Sequence, residues 1–360
     1  MRALLMTVLG ALVLAAAPLL AQDTGDRWVC PEGFAGQRLS VYNWSTYVAE
    51  DTIANFEEAC GVTVVYDVYE NNETLIARLR QGNPGYDVIV PADYAVQILQ
   101  DEGLLIELDH SLIPNLVNVT PELLNQPFDP GNRYSVPYQW GTLGVGYRTA
   151  AVAEPITSWE QVWNHDGPVA WLDHPRIMLG IALNLLGYDV NTANPDEIAQ
   201  ARDYLIERGS NVVAIAGDDG QARLQRREVD IAIEYNGDMF QLMAESEPGE
   251  FEYAIPVEGA PRWIDNMAIP LDALNVPLAH AFIDYILDPR VGADISNFTA
   301  YGSPNQAAID EGLIDPELLA NPGIYPPPAI FEALFSLAFV PEAEIDYLSA
   351  WDEIRVSLGA

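Results

Sequence analysis

Leu39-Ser40-Val41-Tyr42-Asn43-Trp44-Ser45-Thr46-Tyr47 opens the stretch that decides the fold, and Gly61-Val62-Thr63-Val64-Val65-Tyr66 closes it. Residues 39–43 and 62–66 are rich in β-branched and aromatic side chains, the composition of strands. Between them, residues 51–60 place Ile53, Phe56 and Cys60 on one helical face, and Gly61 supplies the stop. The alternation continues outward. Residues 75–80 read as a helix, 87–90 as a strand ended by Pro91, and 95–100 as another helix. Asn194-Pro195-Asp196-Glu197 is a helix start, with an Asn cap, Pro in the first position and Glu in the third. Residues 231–233 form a buried strand, 266–269 another, and 278–287 a helix. Tyr325-Pro326-Pro327-Pro328 leads into a final helix over 330–338. Short β-patterns interleaved with helical ones predict an α/β architecture.

The first 21 residues read as an export address. Arg2 gives the positive start, residues 4–20 are almost wholly apolar, and Ala21 is a small residue before the cut. The alternative is a membrane anchor, for which the run is barely long enough. About 340 residues remain, which favours two domains with ample core. Formal net charge is −37, and all 16 basic residues are Arg, with no Lys in the chain. This charge repels nucleic acid and anionic lipid and attracts cationic solutes, though most of these acids read as solvated surface. The absence of Lys excludes a P-loop lysine, a Schiff-base lysine and a Ser-x-x-Lys nucleophile. His110, His165, His174 and His280 lack metal-ligand spacing. Gly141-Thr142-Leu143-Gly144-Val145-Gly146 completes no dinucleotide fingerprint and reads as tight packing at a lobe junction. No metal and no cofactor is called for.

Cys30 and Cys60 are the two cysteines. A helix returning antiparallel to the first strand ends beside the chain that enters that strand, so the pair is expected to form a disulfide in an exported protein; two unpaired thiols are the alternative. Neither a repeat nor a low-complexity linker divides the chain, although its length demands two lobes. Lobes joined by several chain crossings, near 140–142 and 265–268, reconcile the two. Lobe one would then take residues 22–141 and 265–303, and lobe two residues 142–264 and 304–360.

Five short segments combine rings with oxygen acceptors: residues 42–47, 91–94, 234–238, 262–265 and 301–305. Each is expected where a strand pattern ends. Rings with carboxylates among them suit an elongated organic cation, whose charge lies on π-faces while its ammonium ends meet acids. Individually these residues have plainer uses. Asp93 reads as a helix N-cap, or as a charge in the site at the mouth of an open α/β lobe. Asp238 after Asn236-Gly237 is a natural cap. Asp265 reads equally as a turn acid, and Trp44 and Trp263 as core.

Further pieces of the chain, in order, are Tyr69-Glu70-Asn71-Asn72-Glu73, Tyr86-Asp87-Val88-Ile89-Val90-Pro91, Phe128-Asp129-Pro130, Pro137-Tyr138-Gln139-Trp140-Gly141, Trp263-Ile264-Asp265 and Asn321-Pro322-Gly323-Ile324-Tyr325-Pro326-Pro327. With Tyr42-Asn43-Trp44-Ser45 they make nearly the whole mature chain resemble the periplasmic spermidine/putrescine-binding proteins of ABC importers, and the tail from Asn321 is similar to the putrescine-preferring branch. The resemblance implies a two-lobed periplasmic clamshell (type II), with a polyamine in the interlobe cleft and an inner-membrane ABC permease as partner. It places Trp44, Tyr47 and Tyr94 in the cleft from lobe one, with Ser45 and Tyr301 as polar wall. Tyr235 stands where the family usually has Trp. Trp263 would stack on the methylenes, and Asp265 would bind an ammonium, with Asp238 near the same end. Two departures stand out: His174 and Ile177 replace the acids that usually hold the second amine, and Thr46 replaces an Asp. The distal charge would then come from Asp93 or Asp173, or the ligand has one strong cation. The reading is a monomeric binding protein, not an enzyme and without a nucleic-acid partner. Its rivals are the same fold holding a betaine, a guanidino compound or an opine, an exported sensory adaptor, and a hydrolase using Asp238 and Asp265.

Overall fold

The computed structural model describes residues 28–45, 47–69, 71–217 and 219–359; the export address lies outside them. The strands are β1 (Arg38–Trp44), β2 (Thr63–Tyr69), β3 (Val88–Ile89), β4 (Ser135–Arg148), β5 (Val169–Leu172), β6 (Val212–Ala216), β7 (Ile231–Tyr235), β8 (Phe251–Ala254), β9 (Pro261–Ala268) and β10 (Phe335–Ser336). They form one mixed sheet in the order β2-β1-β3-β9-β4-β7-β5-β6, with β10 added to β9 and β8 to β4. The opening stretch folds as read. β1 and β2 run parallel from Arg38↔Thr63 to Trp44↔Tyr69, and the Thr52–Cys60 helix between them buries Thr52, Phe56 and Cys60 and stops at left-handed Gly61. Cys60 is bonded to Cys30, with Cα atoms 5.2 Å apart. The strap is also held by Trp28, whose Nε1 donates to Asp284 Oδ2 at 2.8 Å.

β4 organises the molecule. It is buried from Ser135 to Tyr147; its first half pairs with β9 and its second half with β7 and β8. Two sets of cores lie along it. Leu39, Phe56, Met267 and Phe282 on one face and Tyr42, Leu99, Trp140 and Ile264 on the other belong to the first. Leu143, Trp159, Trp171 and Ile231 belong to the second, with Met239 and Phe251 behind. The glycines of β4 are sites of close packing, as expected: a Cβ on Gly141 would meet the Trp263 ring at 2.3 Å, and one on Gly144 would meet Tyr253. Of residues 304–325, placed with lobe two from sequence, Pro304 and Asn305 bond to the first core, whereas Gly323 O accepts from Asn236 Nδ2 at 3.2 Å. Thr120 N donates to Pro304 O at 2.7 Å, and Asn305 Nδ2 to Leu287 O at 2.7 Å.

The chain end differs from expectation. The helix after the prolines is only Pro328–Ala333; Leu334 then turns extended and β10 joins β9. A 15-residue helix, Glu344–Leu358, follows and buries Tyr347, Ala350, Trp351 and Ile354 in the second core. The strand expected over 266–269 begins earlier, at Pro261, so Asp265 is an interior strand residue and not a turn acid.

Candidate binding site

β9 puts Trp263 and Asp265 on one face, because alternate strand residues share a side. Asp265 stands opposite Gln139 of β4 and forms an isolated bridge with Ala92, just after β3. It is 7 % exposed. Tyr47 Oη donates to Asp265 Oδ2 at 2.7 Å, and Tyr47 is itself fixed by Tyr138, whose hydroxyl donates to the Tyr47 carbonyl. The Tyr47 and Tyr301 rings meet edge-on with centroids 5.7 Å apart, and Tyr301 meets Trp263 the same way at 5.1 Å. Tyr47, Tyr301, Trp263 and Asp265 are thus one contiguous group, and no Arg or His among the described residues pairs with that carboxylate.

This group touches the second half of the molecule through a glycine. A Cβ on Gly237 would fall 2.2 Å from the Tyr301 ring, so Tyr301 lies directly on the first turn of the Asn236–Ala244 helix. Asp238 is in that turn, half-buried, and the N-cap is Tyr235, the last residue of β7. Asp238 is therefore not the cap. Trp44 lies farther along β1: its Nε1 donates to Val90 O at 2.9 Å and its ring tilts over Tyr69 at 4.5 Å. Ser45 is in the exposed turn that follows, and Tyr94 is half-buried in the second position of the Asp93–Asp101 helix. Of the five ring-bearing segments, those at the ends of β1, β3 and β7 follow strands as expected, whereas Trp263 is inside β9 and Tyr301 follows a helix.

Asp93 is the surprise of the site. Ala92, not Asp93, occupies the cap position. Asp93 is 4 % exposed; its Oδ1 accepts from Tyr94 N at 2.8 Å, and its Oδ2 is buried with no partner. Burial pushes its carboxyl up to about 7, against the pull of the Tyr94 and Ile264 N–H groups and of the Arg262 charge. Burial likewise pushes Asp265 up to about 8, and the negative field of Asp93 adds to this, while the Tyr47 hydrogen bond opposes it. Asp93 is near enough to Asp265 for its charge to raise that acid.

Asp173, the other proposed distal charge, and the two residues that replace the usual acids have partners elsewhere. His174 caps the Pro175–Leu186 helix by accepting from Ile177 N, and Ile177 is buried in the second core. Asp173 accepts from Trp351 Nε1 at 2.8 Å and lies 3.6 Å from Arg355, both on the C-terminal helix. Thr46 lies outside the described residues. Sequence reasoning passes over Tyr69, Tyr138, Gln139 and Arg262, which hold or bias the site from neighbouring strands. The signal is the β4–β9 register for Tyr138, Gln139 and Arg262 and the β1–β2 pairing for Tyr69, and neither is local. Among the described residues no three His, Cys, Asp or Glu cluster as metal ligands.

Residues 51–325 match the family model of the bacterial extracellular solute-binding proteins. The chain belongs to that family. It is 33% identical to a putrescine-binding periplasmic protein of Pseudomonas aeruginosa over 88% of this chain and 91% of that one. It is 35% identical to a spermidine/putrescine-binding periplasmic protein of Salmonella typhimurium over 80% and 83%. Among solved structures, the spermidine/putrescine ABC transporter substrate-binding protein of Streptococcus pneumoniae superposes with a TM-score of 0.84 at 30% identity, covering 90% of this chain and all of that one. The solute-binding fold is thus the two-lobed periplasmic clamshell, and the family's work is binding, not catalysis. No helix among the described residues is long and apolar enough to cross a membrane.

Proposed function

We propose that this solute-binding protein captures a polyamine and delivers it to an ABC permease. The observation that carries the reading is Asp265, a buried carboxylate walled by Tyr47, Tyr301 and Trp263 and lacking a protein cation among the described residues. Such a group favours a cationic guest, since each ring–cation contact contributes about 0.5–2 kcal/mol and the acid accepts a charge-assisted hydrogen bond. The relatives' putrescine and spermidine point to the same solutes. Trp44, Ser45, Tyr94, Tyr235 and Asp238 complete the set of ligand-facing residues. Residues 1–21 act as a signal peptide, and the mature monomer works in the periplasm. Lobe one takes residues 22–141 and 265–303 and lobe two residues 142–264 and 304–360, and the hydrogen bonds of Pro304 and Asn305 support carrying lobe one slightly past 303. A ligand touching both lobes favours the closed form, which the permease recognises.

Asp173 is held by Trp351 and Arg355, and the field of Asp93 reaches Asp265, which speaks against either acid serving a second ammonium. An unpaired ammonium in such an end pays a desolvation cost of several kcal/mol, which favours a ligand with a single strong cation. Calorimetry with putrescine, spermidine and a monoamine of matched length separates the two: polyamines tighter than the monoamine support the first, and equal affinities support the second.

A further inference from the structure

Pro137 interrupts β4 beside the site. A proline inside a sheet has no N–H for the ladder and is tolerated at a bulge. The β4–β9 register slips at this point: Pro137 stands opposite Asn266 and Gln139 opposite Asp265, so β4 advances two residues while β9 advances one, and Tyr138 is the extra residue. Neighbours in a regular strand face opposite sides of the sheet, and a bulge re-aims them. Tyr138 and Gln139, adjacent in the chain, accordingly both reach one backbone atom. The Tyr138 hydroxyl donates to the Tyr47 carbonyl oxygen, and Gln139 Nε2 donates to it in a long bond of 3.4 Å.

The far end of the Gln139 amide is engaged as well. A carbonyl only accepts, so the amide nitrogen must face Tyr47, and Oε1 is left for the opposite side. There Thr299 Oγ1 donates to it at 2.5 Å. Thr299 is the last residue of the Pro289–Thr299 helix, and left-handed Ala300 turns the chain from it into Tyr301. One turn earlier, the Ser296 hydroxyl donates to the Tyr301 carbonyl. Gln139 thus ties the loop that carries Tyr47 to the helix end that carries Tyr301, underneath the carboxylate that both rings flank. It is 1 % exposed, so it acts through these neighbours and not on the solute. A buried amide with both ends bonded rigidifies its surroundings and selects one arrangement.

We infer that Gln139 is a positioning residue for cation capture: the β4 bulge aims it at the Tyr47 carbonyl, and its anchor on Thr299 holds the Tyr47 hydroxyl on Asp265. The inference rests on the polyamine reading and deepens it by naming what keeps the Tyr47–Asp265 bond in place before the solute arrives.

Gln139→Leu removes both bonds without stranding a partner, because Tyr47 O keeps Tyr138 and the Thr299 hydroxyl lies 2.9 Å from Ile295 O. Calorimetric titration with putrescine of wild type, Gln139→Leu, Tyr47→Phe and the double variant tests the role. Gln139→Leu should weaken binding by about three- to tenfold when Tyr47 is present, the scale of one hydrogen bond. In the Tyr47→Phe background, which has no hydroxyl left to place, the same change should cost less than about twofold. Equal losses in the two backgrounds overturn the inference, since Gln139 would then support the site without acting through that hydroxyl. A loss below about twofold with Tyr47 present overturns it too. Should Gln139→Leu fail to fold, Thr299→Val cuts the anchor from its other end and is read in the same two backgrounds: a loss confined to the Tyr47 background supports the inference, and equal losses or none overturn it. No heat from putrescine, spermidine or agmatine in wild type overturns the polyamine reading and this inference with it, whereas equal losses overturn this inference alone.

Discussion

Tyr47 sets how readily Asp265 ionises. Its hydroxyl is the hydrogen bond that opposes burial and the field of Asp93. Tyr47→Phe should leave Asp265 protonated to a higher pH and weaken putrescine binding about tenfold near neutrality, the scale of one hydrogen bond to a charged group. The loss should narrow as pH is raised, because the acid then ionises without help. Titrations at neutral and alkaline pH check this, and a loss that does not change with pH contradicts it. The same acids bear on stability. Both are raised above the unfolded value near 3.9, so the folded protein binds more protons than the unfolded one between about pH 4 and 8. Their stabilisation is complete below about pH 4 and is lost as pH rises through about 7 and 8. The empty wild type should therefore lose melting temperature from pH 5 to pH 8 more steeply than Asp93→Asn, and parallel slopes would contradict the shifts. At this scale the sequence is only partly legible. Trp263 and Asp265 stand out as an aromatic–acid pair, but the position of Asp93 depends on a bridge between residues far apart in the chain, which no local pattern records.

Elements bring the two halves of the site together, and the contact is steric. Tyr301 rests on Gly237 in the first turn of the Asn236–Ala244 helix, and it is wedged between Tyr47 and Trp263. Alanine suits a helix better than glycine by about 1 kcal/mol, so Gly237→Ala should not harm the helix itself. Its Cβ would nevertheless press the Tyr301 ring off its seat. The expected result is an unaltered or slightly raised melting temperature with putrescine affinity reduced by about tenfold or more; unchanged affinity would show that Tyr301 and this helix need not meet for binding. The helix start at Asn194-Pro195 and the βαβ opening are legible because caps and periodicity are local: Asn194 does accept from Asp196 N. The Glu344–Leu358 helix escapes a sequence reading because exposed Ile345, Leu348 and Val356 lie between its buried positions and blur the apolar stripe. β10 reads as helix in the sequence because its conformation is set by pairing with β9, not by its own residues.

At the scale of the molecule, one long strand and one covalent tie do much of the arranging. The Cys30–Cys60 bond fastens the N-terminal strap under Trp28, Phe56 and Tyr285, and closing a loop of this length contributes about 2–4 kcal/mol. Reduction should lower the melting temperature of the empty protein while leaving polyamine affinity within about twofold, since neither sulfur touches the site; a large loss of affinity on reduction would contradict that separation. The two-lobed plan is legible from length, alternation and the absence of a linker. The pairing of β4 with β9 is not, because it joins residues far apart in the chain that carry no local mark of each other. If Asp265 receives the charge of a polyamine, parallel calorimetric titration of putrescine into wild type and Asp265→Asn will show it. One saturable site in wild type and a loss of roughly 3–5 kcal/mol, or two to three decades or more, in the variant are expected, because the change leaves a buried ammonium without its partner; no saturable heat in wild type, or less than a threefold loss in the variant, would contradict that role of Asp265.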